Sequence, residues 1–175
     1  MLPVRFWLLT GMVVAAVVSR WMPLPPNFAP IGAMALFAGA HFADRRLALL
    51  IPFVAMLLSD AVIGFHPGIP FVYACFAGNV AIGMGIKSRR SLVTVPLASV
   101  ACSLLFFLVT NFAFWPTYNL YPKTLDGLIA CYTAALPFFG NTLLGDLCFS
   151  AVLFGGFALA ERKFASLRES ATAAS

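Results

Sequence analysis

The chain has 175 residues, of which 62% are hydrophobic and only 10% charged, with a mean hydropathy of +0.96. A water-soluble domain of this length cannot hide so much apolar surface in one core, so the composition excludes one and indicates an all-α integral membrane bundle. The basic excess, 11 Lys+Arg against 6 Asp+Glu, lies at the ends of apolar segments and reports topology, not a nucleic-acid surface.

A spanning helix needs about 20 residues, fewer where its ends are anchored or the membrane thins. By that measure six are predicted, over residues 4–21, 28–42, 47–64, 69–86, 92–114 and 138–160, in one domain covering 1–164 with a disordered tail over 165–175. The first has the basic and apolar regions of a signal peptide. Arg20-Trp21-Met22-Pro23 follows it in place of a small-residue cleavage site, so it is expected to stay as a helix.

The second segment lies in NFAPIGAMALFAGAH, residues 27–41, after Pro23, Pro25 and Pro26; seven of its fifteen residues are Gly or Ala. A helix so poor in bulk lets other backbones come close, which makes it a packing spine for the rest. Its predicted helix, at about 15 residues, is short for a crossing and is expected to tilt into the interior or to span only in part.

Six crossings place Arg5, Arg45, Arg46, Lys87, Arg89, Arg90, Arg162, Lys163 and Arg168 on one face and Arg20 and Lys123 on the other. That asymmetry predicts cytoplasmic N- and C-termini. The outer face then receives WPTYNLYPKTLD, residues 115–126, whose aromatic residues suit either an interfacial belt or a lid over a cavity. Between it and the last helix, residues 127–137 are expected to form a separate short helix at the outer surface, ended or kinked by Pro137.

Ionisable groups inside hydrocarbon are costly and are functional candidates. Asp60, in LLSDAVIGFHPG, and the deeper Asp146, in GNTLLGDLCFS, stand out, with Ser59, Asn79, Thr110, Asn111, Asn141 and Thr142 around them. Thr142 and Asp146 share a helix face at i, i+4. If helices three, five and six are neighbours, these groups converge on a pocket for a small polar or heteroaromatic molecule. The alternative is interhelical hydrogen bonding, for which Asp146 is an expensive fastener.

His41 and His66 lack partners at ligand spacing, so no metal site is expected, and Cys75, Cys102, Cys131 and Cys148 show no C-x-x-C spacing and read as small core residues. No nucleophile elbow, zinc motif or phosphate-cradling loop occurs, and nothing can bind ATP. No cofactor and no enzymatic activity are expected.

At NFAPIGAMALFAGAHF, LLSDAVIGFHPG, FFLVTNFAFW and LPFFGNTLLGDLCFS the sequence resembles an uncharacterised group of small bacterial membrane proteins, itself similar to the substrate-binding S components of energy-coupling-factor (ECF) vitamin transporters. The resemblance covers residues 23–160. It implies a six-helix protein of the bacterial cytoplasmic membrane with an outward-facing micronutrient site, associating with a transmembrane T component and two ATPases. Their docking pattern, A-x-x-x-A in the first helix, is answered by Gly11 and Ala15, or by Ala29 and Ala33 and by Ala35 and Gly39 in the second. The N-terminal His of the nickel and cobalt versions is absent.

The function expected is therefore a substrate-binding membrane subunit of an uptake system. Asp60, Asn79, Asn111, Asn141 and Asp146 would supply polar contacts, and Trp115, Tyr118 and Tyr121 a closing loop. The rivals are a scaffold resembling a small membrane protein of the bacterial cell-shape machinery, and a membrane enzyme using Asp60 and Asp146 as acid and base.

Overall fold

The computed structural model describes residues 3–168. Helix α1, Val4–Val18, is prolonged by a 3-10 turn, Ser19–Trp21; α2 is Ile31–His41, α3 Arg45–Ile63, α4 Ile69–Ile86, α5 Thr94–Thr117 and α6 Leu125–Lys163. Among the described residues five stretches (α1 with its 3-10 turn, and α3 to α6) are long and apolar enough to cross a membrane, as a membrane-embedded bundle requires.

The sixth expected crossing is not a full helix. α2 has 11 residues, about 16 Å of rise, roughly half of a hydrocarbon core about 30 Å thick. Irregular chain over residues 22–30 precedes α2, exposed over most of 22–27 and buried at Pro30. The spine role is borne out: every residue from Gly32 to His41 is buried, and α2 packs on all five other helices.

Close approach explains the glycines of this spine. A Cβ on Gly39 would lie 2.0 Å from the Val80 carbonyl oxygen, and one on Gly83 2.2 Å from that of Leu36, so α2 and α4 meet backbone to backbone. Around this contact sit Val13, Met34, Phe37, Met56, Phe76 and Phe157.

Charges sort to the ends. Arg5 pairs with Glu161 at 2.7 Å and reaches the Leu167 carbonyl. Lys87 and Arg90 donate to the carbonyls of Phe42 and Ala40, orphan acceptors at the C-terminus of α2. Arg20 and Lys123 make their contacts at the opposite end, on Asp60 and on the Trp115 and Tyr118 carbonyls.

Three expectations need correction. The helix expected to end at Phe114 runs on to Thr117, taking in Trp115 and Pro116. The separate helix over 127–137 is the beginning of α6, which has 39 residues and carries Pro137 inside it. A proline removes one intrahelical bond, but α5 lies alongside as a splint: Tyr132 donates to the Leu108 carbonyl at 2.7 Å, and Phe107 packs on both Tyr132 and Phe139. Third, Cys148 is exposed while the other three cysteines are buried; all four are free. The tail begins docked, since Ala165–Leu167 is a 3-10 turn with Leu167 buried; residues 169–175 of the expected disordered segment lie outside the described residues.

Candidate functional site

The irregular segment enters through a turn. Phe28 N–H donates to the Pro25 carbonyl at 2.9 Å and Asn27 has φ 62°. With Pro26 barred from positive φ, this is the pattern of a type II turn, proline first and asparagine in the left-handed position. Asn141 pins it, its Nδ2 donating to the Pro26 carbonyl at 2.9 Å.

The segment delivers the N-terminus of α2 to Asp146, which is buried. Oδ1 accepts the Ala33 N–H at 3.1 Å and Oδ2 the Ser103 hydroxyl at 2.7 Å. A Cβ on Gly32 would fall 2.4 Å from Oδ1, so glycine makes room for the carboxylate. Helix N-termini carry partial positive charge and unpaired N–H groups, and Asp146 answers both from another helix. Gly145 lets the two chains meet, its would-be Cβ lying 3.1 Å from the Ala29 nitrogen.

Asp60 belongs to a different cluster. Its Oδ1 lies 2.8 Å from Arg20 Nη1 and its Oδ2 accepts the Tyr73 hydroxyl at 2.9 Å. α3 packs on α1, α2 and α4, whereas Asp146 is held by α2 and α5. The two carboxylates therefore share no partner, and the single convergence of helices three, five and six does not form.

What links the two clusters is space. A cavity of about 380 Å³ is lined by Arg20, Asp60, His66, Phe71, Thr110 and Tyr118, among others. Side chambers of about 70 Å³ and 110 Å³ reach Asp146 and Asn111 respectively. Asn27 and Phe106 line all three, making them compartments of one depression at the Arg20 end. Its main volume lies within the range of small-molecule sites.

The expected site residues divide accordingly. Asp60 and Tyr118 face the main cavity, Tyr118 stacked on Phe114 with ring centroids 4.3 Å apart. Asn111 faces a side chamber with its amide turned back to the Phe107 carbonyl, and Asp146 faces another with both oxygens engaged. Asn141, Trp115, Tyr121 and Asn79 line none of these cavities. Asn79 is buried in α4 with Oδ1 unpaired among the described residues. Of the docking residues, Gly11 and Ala15 lie on an exposed face of α1, but Ala33 is fully buried and Ala29 lines the chamber beside Asp146, so no partner helix reaches that pair. Ala35 is likewise fully buried and Gly39 is pressed on α4, so that pair is closed to a partner as well.

Trp115 fastens the loop. Its Nε1 donates to the Pro122 carbonyl at 2.7 Å while Lys123 ties down the Trp115 and Tyr118 carbonyls. Trp115→Phe is expected to cost about 1 kcal/mol, the worth of one such bond. Faster amide exchange confined to residues 115–124, with ligand affinity unchanged, would show it; global loosening would contradict it.

Arg20, Asn27, Ser103 and Phe106 were not among the expected site residues. A trace of Ser103 existed in the sequence: Ser99 and Ser103 are four apart, as are Asp146 and Ser150, and the structure pairs Ser103 with Asp146 and Ser99 with Ser150 at 3.2 Å. Arg20 is the lone cation at the C-terminal end of the first helical stretch.

No curated protein and no solved structure matches the chain. Residues 2–168 match a family of unknown function, DUF6580, and the chain is a member of that family.

Proposed function

We propose that this protein is the substrate-binding membrane subunit of an uptake system for a small, vitamin-like organic molecule, of the ECF S-component kind. The observation that carries the proposal is the cavity of about 380 Å³ at the Arg20 end, which combines an ion pair with aromatic walls. Such a site holds a planar polar ligand by stacking on Tyr118 and Phe71 and by hydrogen bonds to the Arg20 and Asp60 rim. On this reading the cation asymmetry supports an orientation with this end outside a bacterial cytoplasmic membrane and both termini in the cytoplasm. Since the sequence holds no nucleotide-binding motif, separate ATPase subunits energise transport through a T component. The exposed face of α1, where Gly11 leaves open space, is suited to receive that component.

The competing reading is a structural membrane protein without a transported substrate. It draws support from Asp146, whose oxygens are both used to fasten helices.

Native mass spectrometry of the detergent-purified chain tests both. One bound small molecule is expected, held about tenfold more weakly after Phe71→Ala or Tyr118→Ala, the effect of removing one ~1.4 kcal/mol stacking face. Gly11→Leu is expected to keep the molecule and lose the protein partner. A wild-type chain that is empty and carries only a protein partner would favour the structural role.

A further inference from the structure

The Arg20 guanidinium that lines the main cavity spends one of its nitrogens on the protein. Nη1 lies 2.8 Å from Asp60 Oδ1 and 3.3 Å from the Met56 sulfur, while Nε and Nη2 have no partner among the described residues. Those two nitrogens form one edge of the guanidinium plane, from which two N–H groups point the same way. Arg20 keeps 13% of its side chain accessible and Asp60 only 6%. Both oxygens of Asp60 already accept a bond, the second from the Tyr73 hydroxyl. Where the ion pair reaches the cavity, it therefore offers donors.

The neighbouring threonines add no competing donor. Thr110 and Thr117 spend their protons on the Phe106 and Ala113 carbonyls, each at 2.7 Å. Phe71 and Tyr118 supply aromatic faces on the same lining, against which a flat ring stacks with its edge free to reach Arg20.

Charge decides between two kinds of acceptor pair. A carboxylate fits a guanidinium edge, but here it would share one guanidinium with Asp60, and two carboxylates so placed repel each other. A ring carbonyl beside a ring nitrogen offers two lone pairs without a charge, the pattern by which arginine grips the O6 and N7 atoms of guanine.

We propose, resting on the reading of this cavity as an uptake site, that its substrate is an uncharged nitrogen heterocycle with a ring carbonyl beside a ring-nitrogen acceptor, held at that edge by Nε and Nη2 of Arg20.

The test titrates the full chain in detergent by calorimetry with hypoxanthine, which carries the acceptor pair, purine, which lacks the carbonyl, and benzoate, which carries a carboxylate. Hypoxanthine is expected to bind about tenfold more tightly than purine, the effect of one hydrogen bond to a charged donor, and more tightly than benzoate. Arg20→Lys keeps the charge and loses the fork, and is expected to bring hypoxanthine and purine within about threefold of each other. Asp60→Asn keeps the shape and removes the competing charge, and is expected to raise benzoate affinity about tenfold. His66→Gln, at another residue of the lining, is expected to leave the order of the probes unchanged. Purine equal to hypoxanthine, benzoate the tightest, an unchanged preference in Arg20→Lys, no gain for benzoate in Asp60→Asn or a changed order in His66→Gln would each overturn the proposal. A wild-type chain that retains in native mass spectrometry a molecule without this acceptor pair would overturn it too and leave the uptake reading standing; a chain that retains none and binds no probe would defeat both.

Discussion

Gly83→Ala and Gly39→Ala are expected to destabilise the protein by about 3 kcal/mol or more each, at the upper end of what one added methyl group does. The atoms in the way belong to the backbone. The new Cβ at position 39 would lie 2.0 Å from the Val80 oxygen and 2.9 Å from its carbon; the one at position 83 would lie 2.2 Å from the Leu36 oxygen. No rotamer change relieves such contacts, so α2 and α4 must part. Because α2 is packed on every other helix, a displacement there strains its whole surround, including the Ala33–Asp146 bond. Gly85, on the same helix α4, supplies the control: nothing lies within 4 Å of its Cβ, and Gly85→Ala is expected to be neutral or slightly stabilising. Thermal unfolding in one detergent measures all three variants. Gly83→Ala and Gly85→Ala melting together would refute the backbone contact.

That α2 admits close neighbours was legible in the sequence because it depends on composition alone, a hydrophobic run with Gly or Ala at nearly every other position; that α4 is the neighbour was not. The sorting of cations to two ends was legible for a similar reason, since it needs only the order of segments. The length of α2 was not. Pro30 could have opened or ended a helix, and the turn at Pro25–Pro26–Asn27 becomes decisive only once Asn141 holds it. Pro137 misled in the opposite direction, because its local preference is overridden by Tyr132 and Phe139 packing on α5, a contact between residues far apart in the chain. The site suffered most from this kind of ignorance. Asp60 and Asp146 were visible as unusual residues, but the pairing of one with Arg20 and the other with Ser103 and Ala33 is a fact about which helices touch.

The same distinction governs what Asp146 does, and substitutions there are expected to separate fastening from recognition. Asp146→Ala removes the acceptor of both the Ala33 N–H and the Ser103 hydroxyl and leaves a void beside Gly32; a loss of about 3 kcal/mol is expected from the orphaned donor and the cavity together. Asp146→Asn keeps the shape and one acceptor for Ala33. Ser103 can turn its lone pair to the new amide, because its hydroxyl also has the Ser99 carbonyl within 3.1 Å. What the amide cannot replace is the negative charge at the N-terminus of α2, worth up to about 2 kcal/mol where partly buried, so an intermediate loss near 1 kcal/mol is expected. The decisive comparison is with ligand affinity. A carboxylate whose two oxygens are both engaged inside the bundle, beside a chamber of only about 70 Å³, would act on a ligand in the main cavity through the position of Asn27 and Ile31. Asp146→Asn should then lower the melting temperature and leave affinity within about threefold, or ~0.7 kcal/mol. The opposite pattern, unchanged melting with affinity lost tenfold or more, would mean that the ligand displaces one of these internal bonds and that the deepest carboxylate of the chain belongs to recognition after all.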